Sequence, residues 1–197
     1  MHANLIYLGD LRLTVSLAGA VSSWLLAAHL HRLAFYWCIA VGSAFGAVAT
    51  TKIMYLVWGL QVAHLDFKAA SGHAAGAAAV YPVVVCLGTM SWRRNMKYFA
   101  LLVGWGVSIA VAFALVGEGE HSPAEALTGW CIGALASVCT CARLRMTILR
   151  PSLQGVGAAL AATLVIALCM QALPVGWWII KTALVLSEGR QLYPWND

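Results

Sequence analysis

The chain has 197 residues, of which 62% are hydrophobic and only 10% are charged, with a formal net charge of +5. A soluble domain usually carries about 25% charged residues, so this composition excludes a soluble enzyme and predicts an integral membrane protein. The excess of positive charge predicts no nucleic-acid partner, because its placement along the chain follows membrane topology.

Six apolar runs approach the length of about 20 residues that a membrane-spanning helix needs. In chain order, the runs are 13–30, 33–51, 72–90, 98–117, 123–142 and 155–174. The remaining segment, 175–197, opens with a shorter apolar stretch whose Trp177, Trp178 and Lys181 are typical of a helix lying in the membrane interface. We therefore expect one all-α domain over residues 1–197, a polytopic bundle of six transmembrane helices. Glycines along the runs permit close helix packing and a homo-oligomer.

The charged residues separate between the two sides that this assignment creates. One side carries only basic residues, namely Arg32, Arg93, Arg94, Lys97, Arg143, Arg145 and Arg150. The other side carries all the acids and the remaining basic residues, namely Asp10, Asp66, Glu118, Glu120, Glu125, Glu188, Asp197, Arg12, Lys52, Lys68, Lys181 and Arg190. The positive-inside rule makes the first side cytoplasmic. Both termini would then be periplasmic in a bacterial inner membrane.

A histidine and a carboxylate lie in the break before the fifth run, in the sequence His121-Ser-Pro-Ala-Glu125. Proline is favoured at the first helical position, so a helix is expected to begin near Pro123. The spacing of four residues then lets Glu125 share a face with His121 and hold its ring in one orientation. A surface loop with a helix-capping acid is the structural alternative.

A second histidine opens the third run, in Ala70-Ser71-Gly72-His73. A helix N-terminus offers free N–H groups to an anion, Ser71 is suited to cap the helix or contact phosphate, and Gly72 permits close backbone approach. A structural helix-start histidine is the alternative for His73.

Several basic residues on the same side are candidates to bind an anion. Lys52 ends the second run among apolar residues, where a lysine either snorkels to the surface or binds an anion. Lys68 stands three residues before Ser71 and is expected to reach the same anion. The sequence does not choose among Arg12, Lys181 and Arg190 as further members of such a pocket.

These motifs resemble the type 2 phosphatidic acid phosphatase (PAP2) family of six-span membrane lipid phosphatases. That family carries Lys-x6-Arg-Pro, Pro-Ser-Gly-His and Ser-Arg-x5-His-x3-Asp, in this order. The chain has Lys52 with Gly59 in place of the first arginine, then Ala70-Ser71-Gly72-His73, then His121-x3-Glu125 with Leu115 in place of the second arginine. The resemblance covers roughly residues 50–135 in motif and the whole chain in topology.

The resemblance implies a role for each matching residue. His121 would be the nucleophile that forms a phosphohistidine, Glu125 would orient it, and His73 would protonate the leaving alcohol. Phosphate oxygens would be bound by Lys52, Ser71 and the Gly72 N–H, and no metal or other cofactor is expected.

The expected function is therefore a metal-independent phosphatase acting on a lipid phosphate or diphosphate at the outer leaflet of the bilayer. Substrate candidates are undecaprenyl diphosphate, phosphatidylglycerol phosphate, phosphatidate and lipid A phosphate. Two alternatives stay open. A lipid-to-lipid phosphotransferase would use the same nucleophile, so the sequence does not separate it from a phosphatase. The other is a lipid-phosphate-binding or transport subunit that no longer cleaves, because arginine is a bidentate phosphate clamp that lysine does not replace as an equal.

Overall fold

The computed structural model describes residues 3–89, 94–145, 153–172 and 175–194, and these are almost entirely helical. An isolated bridge between Val62 and Phe67 is the one extended pairing among them. The helices are α1 (Ala3–Ile6), α2 (Leu11–Ala27), α3 (His31–Trp58), α4 (Gly72–Gly88), α5 (Arg94–Gly117), α6 (Pro123–Arg145), α7 (Leu153–Ala172) and α8 (Val175–Leu186), with 3-10 turns at Tyr7–Gly9 and Ala63–Leu65. The prediction of an all-α protein is confirmed.

Within the part of the chain that the structure describes, four helices are long and apolar enough to cross a membrane, so the chain is an integral membrane protein. These spans are His31–Trp58, Tyr98–Gly117, Pro123–Leu144 and Gln154–Ala172. The other two predicted spans form α2 and α4, which have 17 residues each. At 1.5 Å per residue each is about 26 Å long, slightly less than the hydrocarbon core of about 30 Å. The count of six spans therefore stays a prediction.

Three charges used for the predicted orientation, Arg93, Arg150 and Asp197, lie outside the described residues. So do the ends of two predicted spans, at 90 and 173–174, and the last residues of the C-terminal segment, 195–197.

The helix that carries the second predicted span extends beyond the predicted end of that span at residue 51. Helix α3 continues to Trp58, so Lys52 lies inside the helix and not at its end. The residues after the lysine are apolar and prolong the helix, because a single charged side chain does not break it. Gly59 ends α3 with a left-handed φ of 64°, and its N–H donates to the Tyr55 carbonyl at 2.7 Å. A glycine in this conformation is a common helix terminator.

Helix α4 is the centre of the bundle and packs against α2, α3, α5 and α6. The side chains that it packs against its neighbours are small, and Ala74, Ala77 and Ala78 are fully buried. On α6, a Cβ at Gly129 would collide with the Ser71 carbonyl oxygen, and one at Gly133 would collide with the carbonyl oxygen of the first turn of α4. The glycine seam at 129–133 thus brings α6 against α4, as small residues do between helices in lipid.

The C-terminal part of the chain covers the end of α3. Helix α8 has 12 residues, about 18 Å, which is too short to span, and its Ala183 packs among Tyr55 and Leu56. After α8 the chain returns to α3, where the Tyr193 N–H donates to the Leu56 carbonyl at 3.0 Å. The prediction that 175–187 forms a helix is confirmed, and its position in the membrane interface stays a prediction.

Candidate active site

The start of α6 holds His121 and Glu125 together. The Ser122 hydroxyl accepts from the Glu125 N–H at 3.2 Å, and the Glu125 carboxylate accepts from the Ser122 N–H at 3.4 Å. This reciprocal pair is a capping box, which fixes the first turn of a helix. The same carboxylate oxygen, Oε2, lies 2.8 Å from Nδ1 of His121. The spacing in the sequence therefore does bring the two side chains together.

The other oxygen of Glu125 is held by a distant part of the chain. Oε1 accepts from the backbone N–H of Lys68 at 2.9 Å and of Ala69 at 3.2 Å. The side chains of Glu125 and His121 are only 9% and 11% exposed. A carboxylate with this many donors has little freedom to rotate, so it fixes the ring of His121 in one orientation.

The segment before α4 is attached to both α6 and α3. The Ser71 N–H donates to the Glu125 carbonyl at 3.0 Å, and the Ala70 N–H donates to the Thr51 hydroxyl at 3.1 Å. These bonds place the N-terminus of α4 beside the N-terminus of α6 and the last turns of α3. Three motifs that are far apart in sequence therefore meet at one end of the bundle.

Ser71 is the N-cap of α4, and its hydroxyl accepts from the Ala74 N–H at 3.4 Å. Of the two uses that the sequence suggested for Ser71, the structure shows the cap. A Cβ at Gly72 would meet only Val48 at 3.7 Å, an ordinary contact, so packing does not require glycine there. The sequence offers another reason for a glycine at this position, which is that it lets a ligand approach the backbone closely.

His73 lies in the first turn of α4 under the N-terminal segment. A Cβ at Gly9 would come within 2.9 Å of the His73 Cβ, so this segment covers the base of the histidine. The charges of Lys52, His121 and Asp10 all act on the His73 ring. The two histidines therefore belong to one electrostatic environment.

The two lysines behave differently from each other. Lys52 is half-buried in α3, and the charge of Glu125 acts on it. Lys68 contributes its backbone N–H to the site, while its ammonium group lies 5.8 Å from the centre of the Tyr55 ring. The expectation that the Lys68 side chain reaches the same anion stays a prediction.

The other three basic residues considered for the anion pocket, which are Arg12, Lys181 and Arg190, lie elsewhere or on the surface. The ammonium group of Lys181 lies over the rings of Trp177 and Trp178, at 4.8 and 5.6 Å. Arg12 is exposed at the start of α2, and Arg190 lines a groove beside Trp58 at the end of α3. Among the described residues, no three His, Cys, Asp or Glu side chains come together as a metal site requires.

The positions where the PAP2 resemblance expects arginine have other roles. Gly59 ends α3, and a Cβ there would come within 2.6 Å of the Tyr193 ring. Leu115 is 1% exposed, and its carbonyl accepts the N–H groups of Glu120 and His121 at 3.0 and 3.3 Å. One position is thus covered by the C-terminal segment, and the other belongs to the core.

Sequence reasoning missed two groups that hold the site. The Thr51 hydroxyl has no signature beyond its place next to Lys52. Tyr81 donates its hydroxyl to the Leu8 carbonyl at 2.7 Å and so holds the N-terminal segment that covers His73. The capping box was readable, because Ser122-Pro-Ala-Glu125 has its spacing.

The arrangement has the parts of an imidazole nucleophile or base. A buried carboxylate bonds one ring nitrogen, Nδ1, and leaves the other, Nε2, for chemistry. Beside it are a second imidazole, a lysine and the N-terminus of a helix, which are groups that serve proton transfer and anion binding.

No family model and no solved structure matches this chain. Among curated proteins, one from Klebsiella pneumoniae is 28% identical to it over 105 residues, and that protein is named "Uncharacterized 22.5 kDa protein in cps region". The match covers 53% of this chain and 50% of that protein. The chain thus spans about half the length of the curated relative that it matches, and the relative's name states no activity.

Proposed function

We propose that this protein is a metal-independent membrane lipid phosphatase that uses His121 as its nucleophile. The observation that carries the proposal is the bond of 2.8 Å between His121 Nδ1 and Glu125 Oε2, with Oε1 held by two backbone N–H groups. With Nδ1–H donated to the carboxylate, the lone pair of Nε2 is free to attack phosphorus. The same carboxylate also belongs to the capping box of α6, so it serves the start of the helix as well as the histidine.

The reaction has two steps. Nε2 of His121 forms a bond to phosphorus while the bond from phosphorus to the lipid oxygen breaks, and His73 gives its proton to that oxygen. A water molecule then attacks phosphorus while His73 takes a proton back from the water, the bond between phosphorus and Nε2 breaks, and phosphate leaves with the imidazole restored. Glu125 stabilises the charged ring in both steps.

Phosphate oxygens are bound at the N-terminus of α4. The N–H of Gly72 and the helix dipole favour an anion there, and Lys52 supplies positive charge from α3. Lys68 and Ser71 complete the set in this proposal, although Ser71 already caps α4.

The proposed setting is a bacterial inner membrane, with α2 and α4 completing six spans and with the site and both termini in the periplasm. Protein surrounds α4 on most sides, so its short length exposes little of it to lipid. The substrate is a lipid phosphate or diphosphate in the outer leaflet, of the undecaprenyl, phosphatidylglycerol phosphate, phosphatidate or lipid A class.

One observation favours a second function, which is binding of a lipid phosphate without cleavage. Gly59 and Leu115 stand where the PAP2 family has arginine. Gly59 is covered by Tyr193 and Leu115 is buried, so a cationic side chain from another part of the chain has no access to either position. Loss of one transition-state donor costs about 3 kcal/mol, and two losses would slow cleavage greatly. Transfer to a second lipid instead of water uses the same residues and differs in requiring an acceptor.

The deciding experiment measures phosphate release by the purified protein in detergent with EDTA, across a panel of these lipids. The His121→Ala variant is compared with the wild type and with His64→Ala, a matched control because His64 is exposed in the Ala63–Leu65 turn. We expect a loss of about 10³-fold or more for His121→Ala and no change for His64→Ala. Equal rates in all three proteins, or no release from any lipid, would contradict the proposed phosphatase.

A further inference from the structure

The segment that leads into α2 is folded over the first turn of α4. Gly9 is buried, and a Cβ on it would lie 2.9 Å from the Cβ and 3.0 Å from the carbonyl oxygen of His73. The absence of a side chain at position 9 permits this close approach. The Leu8 carbonyl accepts from the Tyr81 hydroxyl of α4 at 2.7 Å. The segment is therefore attached to α4 beside His73 and again about two helical turns further along.

Asp10, the last residue before α2, lies at the same level of the bundle as His73. A Cβ on Gly76 of α4 would come within 2.8 Å of the Thr14 hydroxyl oxygen of α2. This contact and that of Gly9 with His73 show that the chain runs in the same direction along both helices. Asp10 precedes Thr14 by four residues. His73 precedes Gly76 by three residues, and either separation is about one helical turn. The acid and the histidine are therefore neighbours at the start of two packed helices.

The carboxylate of Asp10 is fixed at the start of α2. Its Oδ1 accepts from the Arg12 N–H at 2.7 Å, which makes Asp10 the N-cap of the helix. The Asp10 carbonyl accepts from the N–H and the hydroxyl of Thr14, at 2.9 and 3.0 Å. The cap engages one carboxylate oxygen and leaves the negative charge in place. Since Asp10 is half-buried, water and salt screen this charge less than they screen a charge on the surface.

Four titratable groups act on the His73 ring. They are Asp10 before α2, Lys52 on α3, and Glu120 and His121 in the turn before α6. Burial of the ring disfavours its charged form, as do positive charges on His121 and Lys52, whereas the two acids favour it. Glu120 is exposed to water, so Asp10 is the better placed of the two acids. A general acid must carry its proton before the reaction begins, so this balance decides whether His73 can act.

We propose that Asp10 is the partner carboxylate of His73 and keeps on that ring the proton that the leaving oxygen takes. The inference rests on the proposed function. Each histidine then has its own carboxylate, which is Glu125 for His121 and Asp10 for His73. The proton passes from His73 to the lipid oxygen in the first step and returns from water in the second. Asp10 stays ionised in both steps and acts only through His73, so it is a positioning residue.

Three variants separate the charge of Asp10 from its role as a helix cap. Asp10→Asn removes the charge and keeps the cap, because asparagine caps helices as well as aspartate does, and Asp10→Ser does the same with a smaller side chain. Asp10→Glu keeps the charge with a residue that is not a preferred cap. Asp66→Asn is the matched control, because Asp66 is an exposed acid just before α4 and is not among the groups whose charges act on His73.

The first measurement is the titration of His73 by NMR, on the full-length protein with isotope-labelled histidine in detergent. Its signal is identified by its loss in His73→Gln. A nearby unit charge changes the proton affinity of a ring by about threefold or more, which is about half a pH unit. We expect His73 to titrate lower by about this amount or more in Asp10→Asn and Asp10→Ser, and close to the wild-type pH in Asp10→Glu and Asp66→Asn. An unchanged titration in Asp10→Asn, or an equal shift in Asp66→Asn, would overturn the inference.

The second measurement is kcat/KM for octyl phosphate against pH, because this ratio reports protonation in the free enzyme. The acid form of His73 is lost as the pH rises, and without the charge of Asp10 it is lost at a lower pH. We expect the alkaline limb of the Asp10→Asn profile to move to lower pH by the same amount as the NMR titration, with the limbs of Asp10→Glu and Asp66→Asn in place. A limb that stays in place while the NMR titration moves would overturn the role of Asp10 in the reaction.

Failure of the proposed function has a different signature. If the wild type releases no phosphate from any lipid while the NMR titration of His73 still moves in Asp10→Asn, the phosphatase is overturned. Asp10 would then remain the partner of His73 in a binding site. If phosphate release is normal and neither the titration nor the alkaline limb moves, the phosphatase stands and only the pairing of Asp10 with His73 fails.

Discussion

Exchanging Glu125 for glutamine separates the catalytic role of this side chain from its structural role. Glutamine keeps the length of the side chain and an oxygen at the Oε1 position, so the N–H groups of Lys68 and Ala69 keep their acceptor. Its NH2 group replaces Oε2 and faces Nδ1 of His121. An NH2 group donates, so Nδ1 must become the acceptor and the ring proton must move to Nε2.

The expected losses of activity and of stability in Glu125→Gln follow from these bonds. In a Ser-His-Asp triad, an amide in place of the carboxylate fixes the wrong histidine tautomer and lowers kcat about 10⁴-fold. At about 1.4 kcal/mol for each tenfold, this is about 5.5 kcal/mol of transition-state stabilisation. The fold should lose far less, about 1 kcal/mol, since the long bond from the Ser122 N–H at 3.4 Å is the main one sacrificed.

The assay pairs phosphate release with thermal unfolding in the same detergent. Glu118→Gln is the matched control, because Glu118 is an exposed carboxylate on the turn before His121. Glu125→Ala is the structural comparison, since it leaves the N–H groups of Lys68 and Ala69 without their acceptor and should cost about 1–3 kcal/mol for each.

We expect Glu125→Gln to be nearly inactive at almost wild-type stability, and Glu118→Gln to be unchanged in both. Activity of Glu125→Gln within about threefold of the wild type would refute the orienting role. In that case the carboxylate would serve only to join α6 to the segment before α4.

Three further predictions concern the helix seam, the attachment of α4 and the leaving group. Gly133→Ala should destabilise the protein by about 1–3 kcal/mol, because the added Cβ collides with the backbone of α4. Gly106→Ala should not, because nothing lies within 4 Å of a Cβ there. Thermal unfolding in detergent measures both variants. Thr51→Val should cost about 1–3 kcal/mol by removing the acceptor of a backbone N–H before α4, and Thr51→Ser should restore it in the same measurement. His73→Gln should lower kcat about 10²- to 10⁴-fold for an alkyl phosphate. The loss should be much smaller for p-nitrophenyl phosphate, because its leaving group needs no proton. Phosphate release from the two substrates measures the difference.

Each of these has a result that would count against its reasoning. Equal melting temperatures for the two glycine variants would mean that the seam has room for a methyl group. A Thr51→Val protein as stable as Thr51→Ser would mean that water satisfies the backbone N–H. Equal losses on the two substrates in His73→Gln would remove the acid role and leave a binding role.

The local parts of the site were predictable from the sequence, and the long-range parts were not. The spacing of His121 and Glu125 is set by one helical turn, so proline and the i,i+4 rule were enough to expect their contact. The two N–H groups that hold Oε1 come from Lys68 and Ala69, 57 and 56 residues away. No periodicity reports such a contact, because it depends on how α4 and α6 pack.

The helix boundaries divide in the same way, into features that the local sequence predicts and features that depend on tertiary packing. The apolar runs predicted all-α architecture and the approximate positions of the long helices, since hydrophobic length is a property of the sequence itself. The sequence predicts too early an end for this run because Lys52 interrupts it, while α3 continues to Trp58. That Tyr193 covers Gly59 depends on the return of the C-terminal segment, which composition does not encode.

The alanine-rich start of α4 has a consequence for how the chain is made. Residues 72–79 contain only glycine, alanine and one histidine, so this half of the helix offers a nascent bundle little hydrophobic attraction of its own. Its main partner, α6, is synthesised some fifty residues later. The first half of α4 must therefore wait for α6 to arrive before it settles, and the candidate active site is completed only at that late stage of biogenesis. A ribosome stalled before Pro123 would hold a chain in which every helix of the site but one is present and the site itself does not yet exist.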